Sequence, residues 1–452
     1  MGSFIKRVVS QVILALLLSG FSSCAHELNV KNFGGSEESP DNTTAFQKCL
    51  EESAAQKCDC YVPKGTYYFS QDLFLPSGSS LIGEGEASRL IFNKGGVRGY
   101  KNGSAKFYYT NNYNNEVVPD AKYTRLRRKV NKGVDRIEVA NSDLFKVGDN
   151  IVMFNNKLDS WVILEDEKQS AKWNGAHGDY FAKGGSFKVK NIQGDTLFLE
   201  TKLPFDLPEN SIISLRSGIS NVNIKKLAIF RKTDGYAILL EQPLNVSISQ
   251  LTIKGYGGIL LSHYANKCSI MDNKIDSERG YVVCIENFSS DNAVLRNKVV
   301  FRRSGLDTGG DCAIILLMGA YSNQVCYNDV KNIGERSRDF GGIFSHALSF
   351  NNRITNNNIA GAAEGIGSYY GAFNNIFKEN VIEKVRFGIV SYYSRSNVYA
   401  GNRLNISYLG KEYSYGILDY GTLSNIYEVN KLSGEMTFDI KNQDSKGMVV
   451  KR

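Results

Sequence analysis

The sequence predicts an all-β solenoid, a stack of short parallel strands, and three observations point to it. Between Asn266 and Asn430 one phrase recurs: an apolar residue, two of any kind, Asn, one more, then Ile, Val or Leu. Its asparagines are Asn273, Asn297, Asn328, Asn357, Asn380, Asn402 and Asn430. A second Asn precedes most of them by a constant offset, at Asn292, Asn323, Asn352, Asn375, Asn397 and Asn425. A Gly leading into a short apolar run also recurs, at Gly258-Ile259, Gly342-Ile343, Gly365-Ile366, Gly388-Ile389 and Gly416-Ile417. A period of roughly 22 to 31 residues, made of β-prone runs with no helical stretch between them, is a solenoid pattern. Equivalent residues of successive coils then lie about 4.8 Å apart. An Asn in the same turn of every coil can hydrogen-bond its neighbours above and below, forming a polar ladder.

From the start of the chain, residues 1–23 read as an export signal: Lys6 and Arg7, an apolar run from Val12 to Leu18, then Gly20, Ser22 and Ser23 before Cys24. The apolar run is too short for a permanent membrane-spanning helix. Cys24 resembles the lipidated cysteine of bacterial lipoproteins, which implies a lipid anchor on the outer face of a bacterial membrane, cell-surface or periplasmic. The other reading is cleavage after Ala25 and secretion. Both place the protein outside the cytoplasm. Removing Lys6 and Arg7 lowers the formal charge from +8 to +6, a modest basic excess that suits an acidic polysaccharide. No basic cluster carries a nucleic-acid-binding motif, so nucleic acid is not an expected partner.

Residues 24–98 read as a cap and first coils. Asp41 or Asn42 can cap a helix whose Phe46, Cys49 and Leu50 share one face, and strands with tight turns follow it. A helix there covers the apolar end that an open solenoid would expose. The phrases Asn32-Phe-Gly-Gly35, Asp41-Asn-Thr-Thr-Ala-Phe-Gln47, Val62-Pro-Lys-Gly-Thr-Tyr67 and Leu75-Pro-Ser-Gly78 closely resemble the N-terminal segment of the pectate-lyase-like superfamily. That superfamily includes polygalacturonases, rhamnogalacturonases, epimerase-like proteins and phage tailspikes. The resemblance implies a single-stranded right-handed parallel β-helix with an N-terminal capping helix, and it leaves the reaction open among hydrolysis, elimination, isomerisation and binding.

Residues 99–215 break the repeat as a β-rich insert. The run from Phe187 to Leu199 turns at Gly-Asp as a hairpin. Trp173 and His177, turned toward a groove, would supply a sugar platform, whereas Trp161 beside Val162, Ile163 and Leu164 suits the insert's own core. Regular coils occupy residues 216–432, and residues 433–452 read as a closing strand. Beyond Cys24, the cysteines are odd in number, so no complete disulfide framework exists; Cys284 and Cys312 read as buried apolar residues, and Cys49 can pair with Cys58 or Cys60.

Three residues after the Gly-Ile step a column appears: Leu317, His346, Tyr369, Tyr392 and Tyr420. Tyr370 and Tyr393 are expected on the opposite side of the strand, since side chains alternate. An outward column of Tyr and His suits a polysaccharide; an inward one would be ordinary core. Charges gather in the turn before this strand: Glu278, Arg279, Arg302, Arg303, Asp307, Asp311, Glu335, Arg336, Arg338, Asp339, Glu364, Lys384 and Arg386. Glycoside hydrolysis needs two carboxyls, about 5 Å apart for retention or about 6.5–9.5 Å for inversion, and Asp311, Asp339, Glu364 and Asp307 are the candidates. Gly309-Gly-Asp-Cys312 also resembles the Gly-Asp-Asp-Cys strand of polygalacturonases, implying an acid role for Asp311; that family's second Asp is Gly310 here, and its Gly-His-Gly is absent. β-Elimination would instead use Arg338, His346 or Tyr369 around the uronate. Tyr369, Tyr392, Tyr420, Arg303, Arg386, Trp173 and His177 are the expected substrate-binding residues. No cofactor is expected; the alternative is a divalent cation such as calcium, held by Asp307, Asp311, Asp339 and Glu364. The expected function is cleavage of a polysaccharide in a groove along the coils, by hydrolysis, with β-elimination or non-catalytic glycan binding as alternatives. A rim of mutually compensating salt bridges would favour the binding reading.

Overall fold

Each coil contributes one short strand to each of three parallel sheets, one of 13 strands and two of 11. The computed structural model describes residues 28–99, 123–155, 183–278, 280–302, 312–333, 341–407 and 413–451. Register is continuous: Ile224, Ile248, Ile270, Val294, Val325, Ile354, Phe377 and Tyr399 pair in turn across the first sheet, and all lie in the lumen core. One side chain per strand faces inward at coil spacing, so burying it makes a continuous apolar column.

The asparagines lie in the two tight turns of the coil. Asn328 accepts from the Asn297 backbone N–H at 3.0 Å and from Asn297 Nδ2 at 3.0 Å, and its own Nδ2 donates to Val294 O at 2.9 Å and Asn357 Oδ1 at 2.9 Å. The same pattern joins Asn292, Asn323, Asn352, Asn375, Asn397 and Asn425. The residue before each rung is left-handed, for example Arg296, Tyr327 and Glu379, at about 1–2 kcal/mol each for a residue with a Cβ. The saturated ladder offsets that strain. The Gly landmarks mark close approach between coils: a Cβ on Gly365 would lie 2.6 Å from Gly388 O, and one on Gly388 2.6 Å from Gly416 O.

At the N-terminal end Asp41 Oδ1 accepts the Thr43 N–H at 2.9 Å and starts the Thr43–Gln56 helix. Phe46, Cys49 and Leu50 face the first coil, fully buried, and Cys49 is bonded to Cys60. Cys284 and Cys312 are buried and form no disulfide. At the other end, Lys431–Glu435, Phe438–Gln443 and Val449–Lys451 make one strand for each sheet. Residues 433–452 are therefore most of a further coil, not the single closing strand expected. The reason lies in Leu432, Met436, Ile440 and Met448, which pack against the core at the spacing of a full turn.

The insert forms a six-stranded antiparallel sheet with its own core, including Ile137, Ile151, Met153 and Leu197, and this core reaches Tyr321 and Phe350 of the coils. It is held to the solenoid by Arg216. That guanidinium donates to Gln242 O at 2.7 Å, Pro243 O at 2.6 Å, Tyr264 O at 2.8 Å and Ser186 Oγ at 2.6 Å. Among the described residues no helix is long and apolar enough to cross a membrane.

Candidate functional site

The third sheet carries the outward column. The insert packs over the turns at one of its edges, through Val152 and Phe154 against Tyr264 and Phe288. His346, Tyr369, Tyr392 and Tyr420 pair across successive strands. Their rings form a stack: His346 on Tyr369 at 5.8 Å, Tyr369 on Tyr392 at 5.9 Å, Tyr392 on Tyr420 at 4.7 Å. The column lies outside the lumen core, in a separate apolar cluster in which Tyr369 is buried and Tyr392 is partly buried. Tyr370 and Tyr393 do not lie on the opposite side. Both are left-handed at φ 46, so the alternation of an extended strand stops at them. They swing back onto the same face, Tyr370 meeting Tyr392 edge-on at 5.7 Å and Tyr393 meeting Tyr392 at 4.7 Å.

Glu364 does not stand open in this groove. It is buried, and its Oε2 accepts the Tyr369 hydroxyl at 2.5 Å, across a stretch where Gly365 and Gly367 offer no side chain. Burial and the Glu364 charge push the Tyr369 phenol well above its usual range, so it is a poor base for elimination. Arg386 lies over the Phe387 ring at 4.6 Å and donates to Tyr413 O at 2.9 Å. Arg302 is bound to Asp276 at 2.6 Å. Asp307, Asp311, Asp339, Arg338, Arg303, Trp173, His177 and Cys24 lie outside the described residues. Among the described residues no cluster of His, Cys, Asp and Glu has the geometry of a metal site.

The same outward column continues upstream, and there the chemistry changes. Glu241 pairs with Ser262, Ser262 is next to Glu286 in the following coil, and Glu286 pairs with Leu317. Reading the rule "three residues after the strand's first apolar residue" upstream from Ile314, through Val283, Ile259 and Ile238, would have found Glu286, Ser262 and Glu241. Starting the column at Leu317 missed them.

The two carboxyls have different surroundings. Ser262 Oγ donates to Glu286 Oε1 at 2.8 Å, Asn287 Nδ2 to the same oxygen at 3.4 Å, and Cys284 Sγ to Oε2 at 3.7 Å. His263 Nδ1 is bonded to Ser262 Oγ, and Asn287 Nδ2 lies 3.3 Å from His263 Nε2. Only one tautomer satisfies this chain: Asn287 donates to Nε2, Nδ1–H donates to Ser262, and Ser262 donates to Glu286. Burial pushes the imidazole down to about 3, so it stays neutral and keeps that order. Glu286 is raised by burial, opposed by the Ser262 and Cys284 donors. Glu241 is pushed up to about 8 by burial and then by the facing Glu286, with the Arg98 charge acting against both. At neutral pH Glu241 is mostly protonated; Glu286 is shifted in the same direction but is surrounded by donors, so the two carboxyls stand in different hydrogen-bonding environments. Their Cα atoms stand two coil spacings apart, about 9–10 Å, within reach of the inverting separation.

The family model described as rhamnogalacturonase A/epimerase, pectate lyase-like, matches residues 28–185. Among solved structures, the chain is similar to the tailspike protein gp49 of Pseudomonas phage LKA1, at 12% identity and TM-score 0.62, over 94% of this chain and 81% of that one. It is also similar to the tailspike gp61 of Pseudomonas phage phi297, at 13% identity and TM-score 0.59, over 94% and 76%. No curated protein sequence matches the chain.

Proposed function

We propose that this chain, a pectate-lyase-like parallel β-helix protein, binds a polysaccharide along the outer face of its third sheet and hydrolyses a glycosidic bond over Glu241 and Glu286. The row Glu241–Ser262–Glu286 carries the reading, and the family description over residues 28–185 agrees with a carbohydrate polymer as substrate. The protonated Glu241 gives its proton to the departing glycosidic oxygen as that C–O bond breaks. Glu286 takes a proton from the water that adds to the anomeric carbon on the opposite face. The sum is one water consumed, one bond cut and the anomeric configuration inverted. Downstream, the stacked rings of Tyr392 and Tyr420 present their edges along the same face to neighbouring sugars. Export, with or without a lipid on Cys24, fits a polymeric substrate that does not enter cells.

The test is an assay of the purified protein on neutral and uronate polysaccharides, following reducing ends and the absorbance of unsaturated uronates together. Reducing ends without the chromophore, cut by at least about 100-fold in Glu241→Gln, are the expected result, and Asp311→Asn run alongside tests the other carboxyl candidate. Chromophore would overturn hydrolysis in favour of elimination. Binding with neither signal would leave a glycan-binding scaffold.

A further inference from the structure

The residue that follows each member of the acid row is left-handed: Gln242 at φ 46, His263 at φ 50 and Asn287 at φ 53. As at Tyr370 and Tyr393, the alternation of the strand stops there, and the side chains of His263 and Asn287 lie beside the row rather than behind it. Gln242 is engaged elsewhere, its Oε1 accepting the Ser217 N–H at 3.1 Å. His263 and Asn287, in adjacent coils, meet: Asn287 Nδ2 lies 3.3 Å from His263 Nε2 and 3.4 Å from Glu286 Oε1. The other ring nitrogen, Nδ1, is bonded to Ser262 Oγ, and that oxygen lies 2.8 Å from the same Glu286 Oε1. The four side chains thus close a ring of hydrogen bonds that begins and ends on one carboxylate oxygen. Ser262 is 2% exposed. The Asn287 backbone is held on both sides, its carbonyl accepting the Tyr264 N–H at 2.7 Å and its own N–H donating to Leu317 O at 3.2 Å.

We propose that Asn287 and His263 are positioning residues for Glu286: Asn287 holds the imidazole in the tautomer protonated at Nδ1, and Nδ1–H turns the Ser262 hydroxyl onto Glu286 Oε1. The direction of the bonds follows from what each group can give. An ionised Glu286 only accepts, so the Asn287 amide presents its nitrogen to Oε1, not its oxygen. The same NH2 group faces Nε2, which therefore accepts. Nδ1 then carries the proton and donates to Ser262, whose one hydroxyl proton is left for Glu286. In the other tautomer Nδ1 would take that proton, and Glu286 would lose its nearest donor. Burial already favours the protonated form of Glu286, against the Ser262 and Cys284 donors. Without Ser262 it would hold a proton and could not take one from water. Both contacts of Asn287 are long, but the two tautomers of a neutral imidazole are close in energy, and a weak donor selects between them. The inference deepens the hydrolase reading above and rests on it for the role of Glu286, though not for the tautomer.

Nitrogen NMR of the full protein with isotope-labelled histidine reads the tautomer without any substrate, and with 4 histidines in the chain the spectrum is sparse. The signal absent from His263→Gln is that of His263, and the remaining signals report that each variant is folded. In the wild type His263 should be neutral and protonated at Nδ1. Asn287→Asp presents only acceptors to Nε2, so it should move the proton to Nε2, lower kcat in the reducing-end assay by about tenfold and leave KM unchanged. The charge of the new carboxylate is separated from the tautomer by repeating the substitution in Ser262→Ala, where the imidazole no longer reaches Glu286 and most of the further loss should vanish. A wild-type imidazole that is charged or protonated at Nε2 overturns the proposal, as does an Asn287→Asp loss of the same size in both backgrounds. A wild type that hydrolyses no polysaccharide sinks the hydrolase reading instead, and the tautomer then stands or falls on the spectra alone.

Discussion

Glu241 and Glu286 are alike in sequence, and their neighbours alone separate them. Three donors converge on Glu286, while Glu241, 5% exposed, faces a second carboxyl. This has a consequence for stability as well as for catalysis. The folded pKa of Glu241 is raised to about 8 from its ordinary value of 4.5, so between these values the folded state holds a proton that the unfolded state has lost. Stability supplied by that proton is present below the unfolded value and is lost as pH rises through about 8. Groups facing Glu241 include Glu286, raised in the same direction, and Arg98, which lowers it. Glu241→Gln should therefore be more stable than the wild type at pH 9, by on the order of a few kcal/mol at most, and converge with it near pH 5. Thermal melts across that range check this, and parallel curves would reject the protonation assignment. The wild-type hydrolysis rate should fall on the same alkaline limb. The column rule that reads out Tyr369 and Tyr392 also contains these acids, so they were legible. Their protonation was not, because it depends on Ser262, Asn287 and the packing of three coils.

At the scale of the element, the turn asparagines act as a unit. Asn328→Ala removes hydrogen bonds to two neighbouring coils and leaves the Asn297 N–H and Val294 O buried without their partner. Each such orphan costs about 1–3 kcal/mol, so a loss of about 3 kcal/mol is expected from denaturant titration of that variant. A cost below about 1 kcal/mol would mean that the turn geometry holds without the ladder. The ladder could be read from sequence because its period is rigid: one side chain per coil at one offset. The swing of Tyr370 and Tyr393 could not, since strict alternation holds only for extended backbone and the strand ends one residue earlier than the apolar pattern does. Glu364 shows the same limit. Its place in the coil was plain, but its closure by Tyr369 follows from two side-chain-free positions between them.

Across the whole molecule, contacts of the solenoid run between neighbouring coils, whereas the insert touches coils distant from it in sequence. Arg216 joins the two with hydrogen bonds to carbonyls of Gln242, Pro243 and Tyr264, and burial lowers its pKa to about 10. Among the described residues no carboxylate is paired with it; its charge is held by three backbone carbonyls and the Ser186 hydroxyl. Arg216→Met should release the insert while the coils persist. In hydrogen exchange, amides of 183–199 and 212–215 should lose protection by at least about tenfold, with 323–330 and 352–359 unchanged. A loss spread evenly over both would show that insert and coils fold as one unit.

The sequence by itself determined the architecture: coil length, three strands per coil, the ladders and the existence of the aromatic column follow from short-period patterns, because each coil repeats the same local rules against the next, and the capping helix follows from its own amphipathic run. Only the tertiary structure decided which acids share a wall, which of them keeps its proton, and where the insert lies against the coils. Those properties arise between residues with no common period, through desolvation and hydrogen bonds that exist only once distant segments have packed.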